Sequence, residues 1–262
     1  MKFGIVFKED NEKAKKLSEK ISDFLRLKKH EAARQDNLKG SDYILAIGGD
    51  GTLIHKACEF AHLQIPFVGL NVGRLGFLTT AEGKDWKEAI EKLLEGKVFL
   101  SERISISANV NGMDYLAVNE IVIKGVYRVI DLDIEIDGEN FMRIAGDGVI
   151  IATQTGSTAY SLSSGGPIVE PELNCFLVTP INPIGLPIPS VIVAPDDQIK
   201  VSLDEGEDVS FIVDGQEHTK LSIGQKILIK KGQFKIKFAY FDKHHFIRAL
   251  NVKFGLSGRF GT

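Results

Sequence analysis

The chain has only two cysteines, Cys58 and Cys175, far apart and outside any Cys-x-x-Cys pair, so neither a disulfide framework nor a dithiol redox centre is available. No run of 18 apolar residues occurs, which excludes a membrane-spanning helix. The opening MKFGIVFKED lacks the apolar core of a signal peptide, and the expectation is a reduced, cytoplasmic protein with no membrane partner. Excess charge is lacking too: 32 Lys and Arg against 35 Asp and Glu leave a formal net charge of -3. Such a balance gives no basic field for a nucleic-acid backbone, so an anionic ligand has to be held locally. Neither GxxxxGK[ST] nor GxGxxG is present, which removes the P-loop and the dinucleotide fingerprint. His244-His245 is the only histidine pair; read on a strand, its rings point to opposite faces, and no metal site is expected from it.

What is present is a globular composition, 44% apolar and 26% charged over 262 residues, with two textures along the chain. The first third alternates strand and helix. Phe3 to Phe7 reads as a strand, and Asp10 or Asn11 can cap a helix with apolar positions at Ala14, Leu17, Ile21, Phe24 and Leu25. Tyr43 to Ile47 reads as a strand, TLIHKACEFAHL as a helix, PFVGLNVG as a strand, and KDWKEAIEKLLEG as a helix ended by Gly96. This alternation predicts a parallel sheet covered by helices. After Phe99 apolar and polar residues alternate to about Tyr240, with Asn111-Gly112 and Asp137-Gly138 as hairpin dipeptides. Lys56 reads as a surface residue, DEGED (204–208) as a solvated hairpin tip, and GSTAYSLSSGG (156–166) as the one helix of this half. The fold class expected is an α/β N-terminal domain with a parallel sheet (1–97) plus a β-rich C-terminal domain (98–244). An active-site cleft between them, and a tail, about 245–262, that packs back on the first domain, are expected as well.

Two loops carry the chemistry. Strand Tyr43–Ile47 runs into Gly48-Gly49-Asp50-Gly51-Thr52, at the carboxyl end of a strand where open parallel sheets bind ligands. Glycine amides there, with the helix N-terminus that follows, suit a phosphate, which makes Gly48, Gly49, Gly51 and Thr52 candidate phosphate contacts. Asp50 is out of place among anion-binding amides. It either caps the helix, or holds a metal, accepts a hydroxyl, or acts as a base. The second loop lies in GDGVIIATQTGSTAYSLSSGGPIVEP (146–171), where Thr155, Ser157 and Thr158 crowd hydroxyls and amides at a helix start.

Taken in order and spacing, GGDGT, NVGRLGFL (71–78), AVNEIVI (117–123), DGVIIATQTGSTAYSLSSGGPIVEP and VDGQ (213–216) resemble the NAD kinase family over essentially the whole chain. GGDG is shared with other kinases, whereas the block from Asp147 to Pro171 is specific. The resemblance implies transfer of the terminal phosphate of a nucleoside triphosphate, ATP above all, or of polyphosphate, to the 2′-hydroxyl of the adenosine ribose of NAD. It implies a divalent metal ion, Mg²⁺, and a homodimer or homotetramer. It makes Asp50 the proton acceptor facing that hydroxyl, with Gly51 beside the ligand, and Asn119 and Glu120 contacts to the adenosine. Asp147 falls on the nicotinamide side, and Thr155 with Thr158, Ala159, Tyr160, Ser161, Leu162 and Ser163 on the dinucleotide. Arg74, Phe77, Arg128 and Gln216 fall at or near contact positions. Tyr160 either packs in the core or stacks on a base.

The chain departs from the family at three places. Ala152-Thr153-Gln154-Thr155-Gly156 stands where Ser-Thr-Pro-Thr-Gly is usual, Pro183-Ile184-Gly185-Leu186 where many members have Pro-His-Ser-Leu, and Ala145 where some have a basic residue. These changes bear on donor choice and affinity rather than on the reaction. A lipid kinase would share GGDG but need an exposed apolar groove, and a dinucleotide sensor would keep both loops without needing Asp50.

Overall fold

Asn11 separates the first strand from the first helix: its side chain accepts the Ala14 amide at 3.1 Å, an N-cap that satisfies one of the orphan donors of the first turn. In the computed structural model, which describes residues 1–34, 37–73, 76–185 and 187–255, the chain divides into two compact units. One comprises Met1–Glu102 with the chain from Ile236 onward, the other Arg103–Lys235.

The elements of the N-terminal stretch are β1 (Lys2–Phe7), α1 (Glu12–Leu27), β2 (Glu31–Arg34), β3 (Tyr43–Gly48), α2 (Asp50–Glu59), β4 (Phe67–Asn71), β5 (Ala81–Glu82), α3 (Trp86–Leu94) and β6 (Phe99–Arg103). Those of the second unit are β7 (Ile106–Val110), β8 (Met113–Ala117), β9 (Glu120–Gly125), β10 (Ile130–Ile136), β11 (Glu139–Gly146), β12 (Gly148–Thr153), a single turn α4 (Tyr160–Ser163), β13 (Phe176–Ile181), β14 (Val191–Val193), β15 (Ile199–Glu205), β16 (Val209–Val213), β17 (Gln216–Leu221) and β18 (Lys226–Lys231). The chain then returns to the first unit with β19 (Ile236–Tyr240) and α5 (His245–Phe254).

The first unit is built on one sheet of order β2-β1-β3-β4-β19-β6, with β5 on β4, and β1, β2, β3, β4, β5 and the β4–β19 contact all pair parallel. Its core gathers Phe3, Ile5, Ile21, Leu25, Leu45, Ile47, Val68, Leu70 and Ile90, the apolar stripes of α1 and α3 laid on strands apolar on both faces. Gly96, at φ +68°, ends α3 as read from the sequence.

The second unit is antiparallel: one six-stranded sheet of order β11-β10-β15-β18-β7-β8 and another of order β14-β13-β12-β9-β16-β17. Residues from both sheets, among them Ile121, Ile123, Leu132, Val149, Ile151, Phe176, Val201 and Phe211, form one core. β12 is buried on both faces, for Ile150 and Ala152 pack on a second cluster with Leu177 and Val169. Asn111-Gly112 and Asp137-Gly138 turn the β7–β8 and β10–β11 hairpins with both residues at positive φ.

Several local expectations change. β6 and β19 have the alternating texture of the second half, yet they close the first sheet, so the units divide at 102/103 and 235/236 rather than at 97 and 244. Their partners are distant in sequence, and alternation alone does not name a sheet. DEGED does not tip a hairpin: β15 and β16 belong to different sheets, and the turn carries the chain from one to the other. His244 and His245 open a helix rather than lie on a strand. GSTAYSLSSGG gives a 3₁₀ turn (Gly156–Thr158) and the turn α4, broken at Ala159 with φ -101° and ψ -130°. Lys56 is buried, its ammonium paired with Glu59 at 2.8 Å.

Candidate active site

β3 ends on Gly48, whose α-carbon is packed against the Thr52 side chain, and α2 starts at Asp50 with Gly49 as its cap residue. The Thr52 and Leu53 amides both donate to Gly49 O, at 3.0 and 3.1 Å. Gly49 and Gly51 are exposed, whereas Thr52 is buried. Asp50 does not cap this helix, which has no side-chain cap bond.

Its carboxylate turns instead to the loop after β4. Oδ2 accepts the Phe77 amide at 2.6 Å, and Oδ1 accepts those of Leu78 and Thr79 at 3.1 Å each. A carboxylate offers about four lone-pair positions, so three amides leave one, on Oδ2, for a further donor. The loop is itself held. Thr79 Oγ1 accepts from the Gly76 amide and from Asn71 Nδ2, both at 3.2 Å, and Thr80 Oγ1 donates to Ala239 O at 2.8 Å. His245 Nε2 lies 3.1 Å from Phe77 O; a carbonyl only accepts, so this nitrogen carries the proton. The His245 ring stacks on Tyr240 with centroids 4.3 Å apart, and Phe254 of α5 lies 6.0 Å from the Phe77 ring. The half-buried Phe77 therefore joins Asp50, through its amide, to the C-terminal helix, through its carbonyl and its ring.

In the second unit a carboxylate is used in the same way. Asp214, in the turn between β16 and β17, accepts the amides of Val118 (2.8 Å), Asn119 (2.7 Å) and Glu120 (3.1 Å). Asp214 and Gly215, at φ +46° and +79°, form the tight turn that aims this side chain. Thr153 ties the same segment to the next loop: its hydroxyl donates to Val118 O at 2.6 Å and accepts the Thr155 and Gly156 amides at 3.1 and 3.3 Å. Around this frame stand four buried polar atoms with no partner among the described residues: Asn119 Oδ1, Glu120 Oε2, Gln154 Oε1 and Thr155 Oγ1. Unpaired buried polar atoms are costly, and four grouped on two adjoining segments point to a polar ligand. Burial, and next the charge of Asp214, push the Glu120 carboxyl up to about 8.

Asp147, between β11 and β12, accepts Asn182 Nδ2 at 2.8 Å. Thr158 and Ala159 are half-buried; Ser161 is buried and bonded to Thr179 Oγ1 at 2.9 Å; Leu162 is half-buried and Ser163 exposed. Tyr160 packs against the Val122, Ile150 and Leu177 cluster while its hydroxyl accepts Lys124 Nζ at 3.3 Å. Gln216 is exposed at the start of β17, and Arg128 is exposed with Glu207 3.6 Å away. Arg74 lies outside the described residues. The sequence assigns no role at the site to Gly76, Thr79, Thr153, Asp214 or His245. Gly76, Thr153 and Asp214 do stand within the motifs NVGRLGFL, DGVIIATQTGSTAYSLSSGGPIVEP and VDGQ, and His245 figures there only as half of a histidine pair.

Comparison with known proteins gives one family throughout. Family models match the ATP-NAD kinase N-terminal domain over residues 8–98 and the ATP-NAD kinase C-terminal domain over residues 118–241. The NAD kinase of Treponema denticola is 35% identical, covering 97% of this chain and 96% of its own, and that of Thermococcus gammatolerans is 36% identical, covering 92% and 95%. Among solved structures, an Archaeoglobus fulgidus NAD kinase in complex with ATP superposes with a TM-score of 0.78 at 28% identity, over 96% of this chain and 98% of that one. A yeast NADH kinase complexed with NADH shares the fold, with a TM-score of 0.87 at 24% identity over 100% and 90% of the two chains. The chain belongs to the NAD kinase family.

Proposed function

We propose that the protein transfers the terminal phosphoryl group of ATP, or of another nucleoside triphosphate or polyphosphate, to the 2′-hydroxyl of the adenosine ribose of NAD, giving NADP. The observation that carries this reading is the single open lone-pair position on Asp50 Oδ2, in a carboxylate otherwise fixed by three backbone amides. A group so fixed has room for one further donor, and a ribose hydroxyl can take that place. The new bond joins the ribose oxygen to the donor's terminal phosphorus. The old P–O bond breaks with its electron pair leaving on the shortened donor, and the hydroxyl proton passes to Asp50. In a loose transition state the nucleophile needs little prior activation, so the proton moves late, and the carboxylate contributes on the order of 10²–10⁴ in rate.

The exposed amides at Gly49 and Gly51, at the positive end of α2, would face phosphate oxygens. Asn119, Glu120 and Thr155, with their unpaired buried atoms, would meet the adenosine part of NAD, and Asp147 and the Tyr160 segment the rest. Among the described residues no group of three His, Cys, Asp or Glu side chains is arranged to hold a metal. Mg²⁺ commonly rides on substrate phosphates with waters and one or two carboxylates, so these residues fit a metal that arrives with the donor as part of the substrate. We read the protein further as cytoplasmic and as a homodimer or homotetramer. The edge strand β14, with Ile192 half exposed, supports the latter, and sedimentation would test it.

The test is an incubation with NAD, ATP and Mg²⁺, with NADP read by an NADP-specific dehydrogenase, and NADH and polyphosphate as second substrates. NADP formation is expected. Binding of NAD without NADP from any donor would make the protein a sensor and end this reading.

A further inference from the structure

A groove of about 600 Å³ opens in the first unit beside the carboxyl end of β4, within the size range of small-molecule sites. One wall is an exposed stripe of α1, where Lys13, Lys16 and Lys20 recur at helical spacing along the border of the buried face of Ala14, Leu17 and Ile21, with Leu17 lining the groove beside them. Lys84 and Glu82 stand across from it, paired at 2.8 Å, so they cancel. Among the described residues Lys13, Lys16 and Lys20 have no carboxylate partner, which leaves three uncompensated positive charges around one concavity of a chain whose net charge is -3. Like charges gathered this way repel, and a multivalent anion relieves the repulsion.

The groove's floor gives its location. Asn71 and Gly73 line it, and Asn71 is paired in register with Gly48, two residues before Asp50. Asn71 Nδ2 also donates to Thr79 Oγ1 at 3.2 Å, and the Thr79 amide donates to Asp50 Oδ1 at 3.1 Å. The groove and the carboxylate thus share a side chain and a strand end.

We propose that this groove binds the phosphate chain of the phosphoryl donor, with Lys13, Lys16 and Lys20 holding the phosphates away from the one transferred. The proposal rests on the kinase reading above. The shared chemistry is a linear polyphosphate anion, whether the tail of a nucleoside triphosphate or an inorganic polymer. Ammonium groups act on it as point charges and need no base or sugar contact.

The test is the triple variant Lys13→Glu, Lys16→Glu, Lys20→Glu, made on exposed positions that leave the core of α1 intact. As a control, Lys226→Glu with Lys230→Glu reverses exposed charges on β18 in the other unit. Inorganic tripolyphosphate is titrated calorimetrically into each protein, and the KM values for NAD, ATP and long-chain polyphosphate are measured at two salt concentrations. We expect the triple variant alone to lose tripolyphosphate affinity and to raise the donor KM about tenfold or more, most at low salt, with the KM for NAD unchanged. A rise for both donors identifies the phosphate chain in general as the ligand; a rise for polyphosphate alone identifies the inorganic polymer. Turnover with a donor KM unmoved by the triple variant overturns the groove and spares the kinase reading. Tripolyphosphate binding lost in the variant, with no NADP made by the parent, keeps the groove and overturns the kinase reading.

Discussion

A β-carbon added to Gly76 would lie 1.9 Å from Asp50 Oδ1 and 2.2 Å from its carboxyl carbon, closer than any real contact. Glycine here is a condition for bringing the carboxylate onto the amides of residues 77–79. Gly76→Ala should displace the carboxylate, lowering kcat about 10²-fold or more while the KM for NAD changes little, as steady-state kinetics would report. Glu120 gives a prediction in pH. The folded protein holds its proton to a higher pH than the unfolded chain does, with the carboxyl raised from 4.5 to about 8. Its contribution to stability is therefore full below pH 4.5 and is lost as pH rises through about 8, a swing on the order of a few kcal/mol. Glu120→Gln, which cannot ionise, should flatten the urea midpoint across that window. Equal slopes in parent and variant would contradict the assignment. At this scale the motifs around Asp50, Asn119 and Glu120 could be picked out of the sequence. What Gly76 does for Asp50, and what Asp214 does for residues 118–120, could not, since each acts on a segment 26 or more residues away.

At the scale of elements, the loop 76–80 is held by β4, β19 and α5, and α5 reaches it through His245. His245→Ala leaves the Phe77 carbonyl without that donor, a loss of about 1–3 kcal/mol where it is buried. The expected result is a fall in kcat of about tenfold with the KM for NAD retained, and His245→Gln, which can still donate, should recover part of it. Hairpins at Asn111-Gly112 and Asp137-Gly138 were readable because the dipeptide itself selects the turn. α1 was readable from its cap and apolar stripe. The helix at His245 was not, because alternating residues run up to Tyr240 and mask the change of period. The break at Ala159 was equally hidden: nothing in GSTAYSLSSGG announces a residue at ψ -130°.

For the whole molecule, the decisive fact is that the first sheet needs β19, supplied after the entire second unit and placed between β4 and β6. A chain ending at residue 235 should retain the antiparallel unit, which is continuous from Arg103 to Lys235 and has its own core, but lose the first. Trp86, the single tryptophan, lies on α3 and reports on the first unit alone. In that truncated chain its emission should be at the unfolded wavelength without denaturant, while far-ultraviolet circular dichroism keeps its β signal. Two textures along the sequence were enough to read two architectures. Which strands close which sheet was not readable, because register between distant segments is set by packing and not by local pattern.

The central claim is that Asp50 receives the proton of the ribose hydroxyl, and Asp50→Asn tests it most directly, with NAD affinity measured by titration and turnover by coupled NADP detection. Asparagine keeps the oxygen that the Leu78 and Thr79 amides need, sets an NH2 against the Phe77 amide, and removes the basic site; dinucleotide affinity should stay within about threefold while kcat falls by about 10²–10⁴. Turnover within about twofold of the parent would place the chemistry elsewhere.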